Sequence, residues 1–157
     1  MTKPPFDVIV RQYGPTVYRV CRALVGHDDA EDAWSETFLA ALRSYPALEG
    51  VANIEAWLVR IAHNKAVDLV RMGAKQRALS ARVVEIPGDA RDPTSALALG
   101  AALTQLPTRQ RQAVAYHYLA DLPYSQVADI MGGTPAAARR AASDGMATLR
   151  TRLGKEL

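Results

Sequence analysis

The run Ile86-Pro87-Gly88-Asp89-Ala90-Arg91-Asp92-Pro93-Thr94-Ser95 constrains this chain more than any other stretch. It concentrates proline, glycine and aspartate and carries neither a helical nor an alternating apolar period, so no regular element crosses it. In a chain of 157 residues it leaves two flanking pieces, each large enough for one small core. The expected division is a first domain over residues 1–78, a linker over 79–95 and a second domain over 96–157. Charge follows the same division. Residues 1–59 carry a net −3, residues 60–82 a net +5, residues 83–108 a net −2 and residues 109–157 a net +3. Two basic zones therefore alternate with two acidic ones, a layout suited to two separate contacts with something anionic.

Outside the breaker, alanine and leucine abound, β-branched runs are short, and no Asn-Gly or Asp-Gly turn sits between alternating segments. The expected fold class is all-α: two small helical domains joined by a flexible linker. One cysteine, Cys21, excludes an intramolecular disulfide and a cysteine-cluster metal site and fits a reducing compartment, so a cytoplasmic location is expected. The start has no apolar signal core, and no run approaches the roughly 18 apolar residues of a membrane helix, so no membrane contact is expected. Neither a glycine-rich phosphate loop, nor a Gly-x-Ser-x-Gly elbow, nor clustered metal ligands occur, which points away from an enzyme and from any cofactor or metal.

Phe6, Val10, Tyr13, Val17, Val20, Cys21 and Leu24 recur at helical steps and predict one helix, bent at Gly14-Pro15, with Cys21 as a packed core thiol. After Gly26-His27, Asp28 or Asp29 is expected to cap a second helix. Its apolar stripe is Ala30, Ala33, Trp34, Thr37, Phe38, Ala41 and Leu42, while Asp29, Asp32, Ser35, Glu36, Leu39 and Arg43 line another side. Periodicity leaves that acidic side open between a solvated face and a docking surface.

From Glu55 onward, Leu58, Ile61, Ala62, Ala66 and Leu69 form one stripe. A separate ridge carries Arg60, His63, Asn64, Val67, Arg71 and Lys75. Such a ridge can track a phosphate backbone, while Asn64 and the preceding loop through Asn53 can address unpaired bases. An ordinary solvated basic face gives the same pattern.

In Tyr124-Ser125-Gln126-Val127-Ala128-Asp129-Ile130-Met131-Gly132-Gly133-Thr134, a small residue on a short helix precedes a glycine by four positions, which is the helix-turn-helix pattern. Ala128 permits close helix approach, Gly132 a left-handed turn, and Thr134 a cap for a helix opening with Pro135. Ala138, Ala141, Gly145 and Leu149 are expected to lean inward. Ala136, Ala137, Arg139, Arg140, Ser143 and Asp144 then face a DNA major groove, or simply water if this is an ordinary alanine-rich hairpin. Upstream, Leu106-Pro107-Thr108 starts a support helix with Val114, Tyr118 and Leu119 inward and with Arg109 and Arg111 on the backbone of DNA or in solvent.

In this order the pieces resemble an extracytoplasmic-function type sigma factor, the promoter-specificity subunit of bacterial RNA polymerase. Asp28-Asp29-Ala30-Glu31-Asp32-Ala33-Trp34-Ser35-Glu36-Thr37-Phe38-Leu39 is similar to the family's polymerase-binding helix. Trp57 through Arg71 is similar to its minus-ten helix, and residues 106–132 are similar to the fourth conserved region. The resemblance implies that Asp29, Asp32, Ser35, Glu36 and Leu39 dock on the clamp helices of the largest subunit of core RNA polymerase. Asn53, Arg60, His63, Asn64 and Arg71 would hold the melted minus-ten strand. Arg109, Ser125, Thr134, Ala136, Ala137, Arg139, Arg140 and Ser143 would meet the minus-thirty-five duplex of promoter DNA. It also implies an anti-sigma factor as a partner. Trp34 and Ser35 depart from the family's aliphatic residue and glutamine, and the last helix has fewer cations than usual, implying fewer phosphate contacts. The competing expectation is a stand-alone helix-turn-helix regulator that dimerises through residues 1–78 and needs no polymerase.

Overall fold

The computed structural model describes residues 3–79 and 95–155, with side chains over 3–73 and 99–154. Of the expected linker over 79–95, residues 80–94 lie outside the described residues, while Leu79 closes one helix and Ser95 opens another. Helix α1 (Phe6–Val25) buries Ile9, Val17, Val20, Cys21 and Leu24, a stripe at three- and four-residue steps. The helix runs unbroken through Pro15, whose ring lies on the exposed side. The residue that matters there is Gly14, because its bare backbone admits Trp34, whose indole N–H donates to the Gly14 carbonyl at 2.9 Å.

Gly26, at φ +90°, turns the chain into α2 (His27–Ser44). The expected aspartate cap is not made. The helix already begins at His27, so Asp28 and Asp29 fall in its first turn and act on the unpaired N–H groups through charge. Ala30, Ala33, Thr37, Phe38 and Ala41 are buried, but Leu42, expected in that stripe, is 50% exposed. From Ala41 the next inward position is the buried Tyr45, in the short 3-10 turn Tyr45–Ala47, which leaves Leu42 beside Leu39 on the outer side. Helix α3 (Ile54–Leu79) buries Leu58, Val59, Ala62 and Ala66 and continues one residue past the expected end of the first domain.

The second half holds α4 (Ser95–Thr104), α5 (Thr108–Val114), α6 (Tyr124–Met131) and α7 (Pro135–Lys155). Helix α5 runs on into a π-helical turn, Ala115–Leu119. Tyr116 closes a run buried from Gln112 onward, whereas Tyr118, expected inward, is 54% exposed within this wider turn.

Ile9, Val17, Cys21, Ala33, Phe38, Ala41, Leu58 and Ala62 form one core among α1, α2 and α3. A second core crosses between the halves. Val20, Ala23 and Leu24 of α1 and Val59 and Ala66 of α3 join Leu103, Leu106, Val114, Tyr116 and Leu122 in one apolar cluster. The relative pose that the sequence leaves open is thus a closed one. Among the described residues there is no strand, and no helix is long and apolar enough to cross a membrane.

Candidate nucleic-acid and polymerase interfaces

On α2, Asp29, Asp32, Ser35, Glu36 and Leu39 are all exposed, Leu39 at 47%, and they share the helix side opposite the buried alanines. Among the described residues no ion pair engages these carboxylates. Trp34 turns inward from this surface: its ring packs at 4.8 Å, centroid to centroid, on Phe38 and touches Gly14. What stands outward is a carboxylate row with Leu39 and Leu42 beside it, a mix of charge and apolar area that can dock on a basic, partly apolar helix.

The α3 ridge is divided. Arg60, Asn64 and Arg71 are exposed, Val67 is half-buried, and the Lys75 side chain lies outside the described residues. His63 departs from the ridge. Its Nδ1 lies 2.6 Å from the Tyr116 hydroxyl of the second half, and the rings meet edge to face at 5.8 Å. Burial lowers the His63 pKa, and Arg60 and Arg109 lower it further. Burial pushes the Tyr116 phenol well up, so Tyr116 keeps its proton and donates it to a neutral imidazole.

Asn53 is also engaged. Its Oδ1 accepts the Ala56 N–H at 3.0 Å, capping α3, and its Nδ2 donates to Gln126 Oε1 of α6 at 3.0 Å. In the closed pose, then, Arg60, Asn64 and Arg71 face solvent while Asn53 and His63 are bonded across the seam.

Arg111, expected on DNA or in solvent, does neither. It donates to the carbonyls of Leu24 at 2.9 Å and of Thr104 and Leu106 at 3.0 Å each. Those oxygens belong to the last turn of α1 and to the end of α4 and the residues that follow it, so one cation meets two negatively polarised helix termini.

The helix-turn-helix is formed. Ala128 is buried, and Gly132 and Gly133 take φ +84° and +108°. Gly132, with ψ 143°, sits in a glycine-favoured region outside the left-handed helical well. Thr134 Oγ1 accepts the Ala137 N–H at 3.1 Å, which is the expected cap on α7. Ala136, Ala137, Arg139, Arg140 and Ser143 are exposed, as are Asp144, Thr134 and Ser125. Ala138, Gly145 and Leu149 lean inward as expected, whereas Ala141 is only half-buried and Ala142 takes the fully buried place. A Cβ on Gly145 would stand 2.8 Å from Val114 Cγ2, so the absence of a side chain sets how closely α7 lies on α5. Arg109 donates to the Gly132 carbonyl at 2.9 Å and remains exposed beside the turn.

Sequence reasoning missed Arg111, Tyr116, Gln126 and the ring pair His117 and Tyr124. For two of them a signal was there. The run Gln112-Ala113-Val114-Ala115-Tyr116 has no polar face beyond its first residue, the mark of a segment covered on all sides, with Arg111 at its edge. Nothing local marks Gln126, because its partner lies 73 positions away.

Comparison with known proteins bears on this geometry. Residues 9–76 match the Sigma-70 region 2 family and residues 96–149 the Sigma-70, region 4 family. The ECF RNA polymerase sigma factor SigE of Mycolicibacterium smegmatis is 32% identical over 162 residues, covering 97% of this chain and 63% of that protein. The chain thus spans less than two thirds of SigE. RNA polymerase sigma factor SigV of Bacillus subtilis is 24% identical over 157 residues, covering 99% of this chain and 95% of SigV. The solved sigma factor RpoE of Bartonella quintana, in complex with the anti-sigma factor NepR, shares the fold at a TM-score of 0.81 and 22% identity, covering 95% of this chain and 96% of that one. A dimeric stand-alone regulator is not favoured, since the half it would use for dimerisation is the region 2 segment. With region 2 followed by region 4 on two helical units, this chain belongs to the ECF RNA polymerase sigma factor family.

Proposed function

We propose that this protein binds core RNA polymerase and directs it to promoters, recognising and helping to melt DNA without catalysis of its own. The observation that carries the reading is the start of α7: capped by Thr134, exposed at Ala136, Ala137, Arg139, Arg140 and Ser143, and held from behind by α5. Such an exposed, capped helix start supports insertion into a major groove, where arginine meets guanine O6 and N7 and an alanine methyl meets a thymine methyl. Ser125 and Arg109 flank it toward the phosphates. Asp29, Asp32, Ser35, Glu36 and Leu39 supply the surface for the clamp helices of the largest polymerase subunit. Arg60, Asn64 and Arg71 supply the strand-holding ridge, which Asn53 and His63 join once the two halves part. A cytoplasmic location follows from the function. The solved neighbour RpoE is bound to the anti-sigma factor NepR, and a partner of that kind is proposed here as the source of regulation.

The test is reconstitution: purified protein, core RNA polymerase and a genomic promoter library. Initiation at defined promoters supports the reading, and absence of core binding in a pull-down refutes it.

A further inference from the structure

A row of stacked groups lies behind the exposed start of α7. His117, in the π-helical turn, donates from Nδ1 to the Leu122 carbonyl at 2.8 Å, which fixes both ring tilt and tautomer. Its other neighbours are aromatic. Tyr118 meets it edge on at 4.8 Å and 88°, and Tyr124, the first residue of α6, lies parallel to it at 3.9 Å and 13°. The Arg139 guanidinium stands 5.1 Å from the centre of the Tyr124 ring. The backbone of Leu122 therefore fixes His117, His117 fixes Tyr124, and Tyr124 carries Arg139. Among the described residues, Arg140 has no aromatic ring beneath it.

A long cation on a helix surface samples many rotamers, whereas reading guanine requires two parallel N–H groups at a fixed place and plane. A ring beneath a guanidinium limits the rotamers it samples. Arg139 and Arg140, adjacent in sequence, are thus unequal: one is aimed, the other free to follow a phosphate.

We propose that Tyr124 is a positioning residue that aims Arg139 at one base pair of the upstream duplex element, so that sequence selectivity passes through Arg139 while Arg140 contributes affinity alone. This rests on the reading of α7 as the duplex-facing helix. His117 acts one step further back, by holding the Tyr124 ring.

The experiment uses the full chain assembled with core RNA polymerase and a promoter library randomised in the upstream element, with bound duplexes sequenced. Arg139→Ala is expected to flatten the preference at one base pair. Arg140→Ala is expected to weaken all sequences alike and to reduce the slope of log affinity against log salt by about 1. Tyr124→Phe, which keeps the stacking face, retains the wild-type preference. Tyr124→Leu, which keeps apolar bulk but loses the face, softens the preference at the Arg139 base pair by about 2- to 5-fold and adds nothing in the Arg139→Ala background. Circular dichroism of Tyr124→Leu checks that helix content is unchanged; Tyr124→Met serves if it is not. If the Arg139-dependent preference survives Tyr124→Leu and Tyr124→Met, or if a different base pair is affected, the proposal is overturned. If Arg139→Ala itself changes no preference, what fails is the reading of α7 on which the proposal rests.

Discussion

The Tyr116 hydroxyl sits 2.6 Å from His63 Nδ1, joining two residues 53 positions apart across the seam between the region 2 and region 4 halves. The neutral imidazole accepts the phenol proton at Nδ1; a protonated ring has no lone pair there, and its charge is opposed by burial and by Arg60 and Arg109.

The seam should loosen in acid. His63 has a lowered pKa in the closed state, so its contribution is complete above the ordinary histidine range and is lost as pH falls toward the lowered value. Arg60 on its own helix, Arg109 from α5 and Tyr116 from the π-helical turn are the groups that face it. Glu55 works in the opposite sense: burial and then Asp121 raise its pKa, against Arg19, so its protonated form favours closure. X-ray scattering should show the wild-type chain expanding as pH falls below the ordinary histidine range toward the lowered His63 value, and His63→Gln should abolish that expansion. Equal expansion of both proteins would remove His63 from the account.

Arg111, half-buried and bonded to three helix-end carbonyls, should be sensitive to substitution. Arg111→Met forfeits three bonds to helix-end carbonyls and should lower stability by about 2–3 kcal/mol, read from urea unfolding followed by circular dichroism. Arg111→Lys, with one ammonium for three oxygens held by two nitrogens of a planar fork, should fall between.

Gly145→Ala tests packing against propensity. Alanine favours a helix by about 1 kcal/mol over glycine, yet here its Cβ would stand 2.8 Å from Val114 Cγ2 and 3.4 Å from Gln110 Cβ. The expected outcome is a net loss of about 1–2 kcal/mol, partly restored by Val114→Ala in the double mutant. A gain in melting temperature from Gly145→Ala alone would contradict the close approach of α5 and α7.

Asp32→Arg and Glu36→Arg place cations on the outward row of α2, where neither residue contributes to a core. Helix content should be unchanged, and affinity for core polymerase should drop, measured by native gel or pull-down. Unchanged core affinity would return that row to a solvated surface.

Much of this was legible in residue order. Breakers separated the halves, three- and four-residue spacing found α1, α2 and the first turns of α3, and Ala128, Gly132 and Thr134 marked the helix-turn-helix because turn chemistry is local. The errors came where a partner lay far along the chain or a period changed. A 3.6-residue repeat puts Tyr118 inward, but the turn is π-helical and Tyr118 faces out. Extending the α2 stripe puts Leu42 inward, past the point where Tyr45 takes over. Asn53 and His63, expected at the minus-ten strand, are bonded across the seam in the closed pose, and nothing near either one announces Gln126 or Tyr116. The position of Arg111 at the edge of a covered run is legible, but the three carbonyls it meets depend on two helix ends coming together, which no periodicity encodes.

The apolar cluster that runs across the seam also bears on any extended form of the molecule. Swinging the halves apart wets Val20, Ala23, Leu24 and Val59 on one side and Leu106, Tyr116 and Leu122 on the other, an exposure that water opposes. A stretched chain is therefore one whose uncovered flanks borrow shelter from a host surface, and severed halves studied alone would be expected to stick to themselves or to each other.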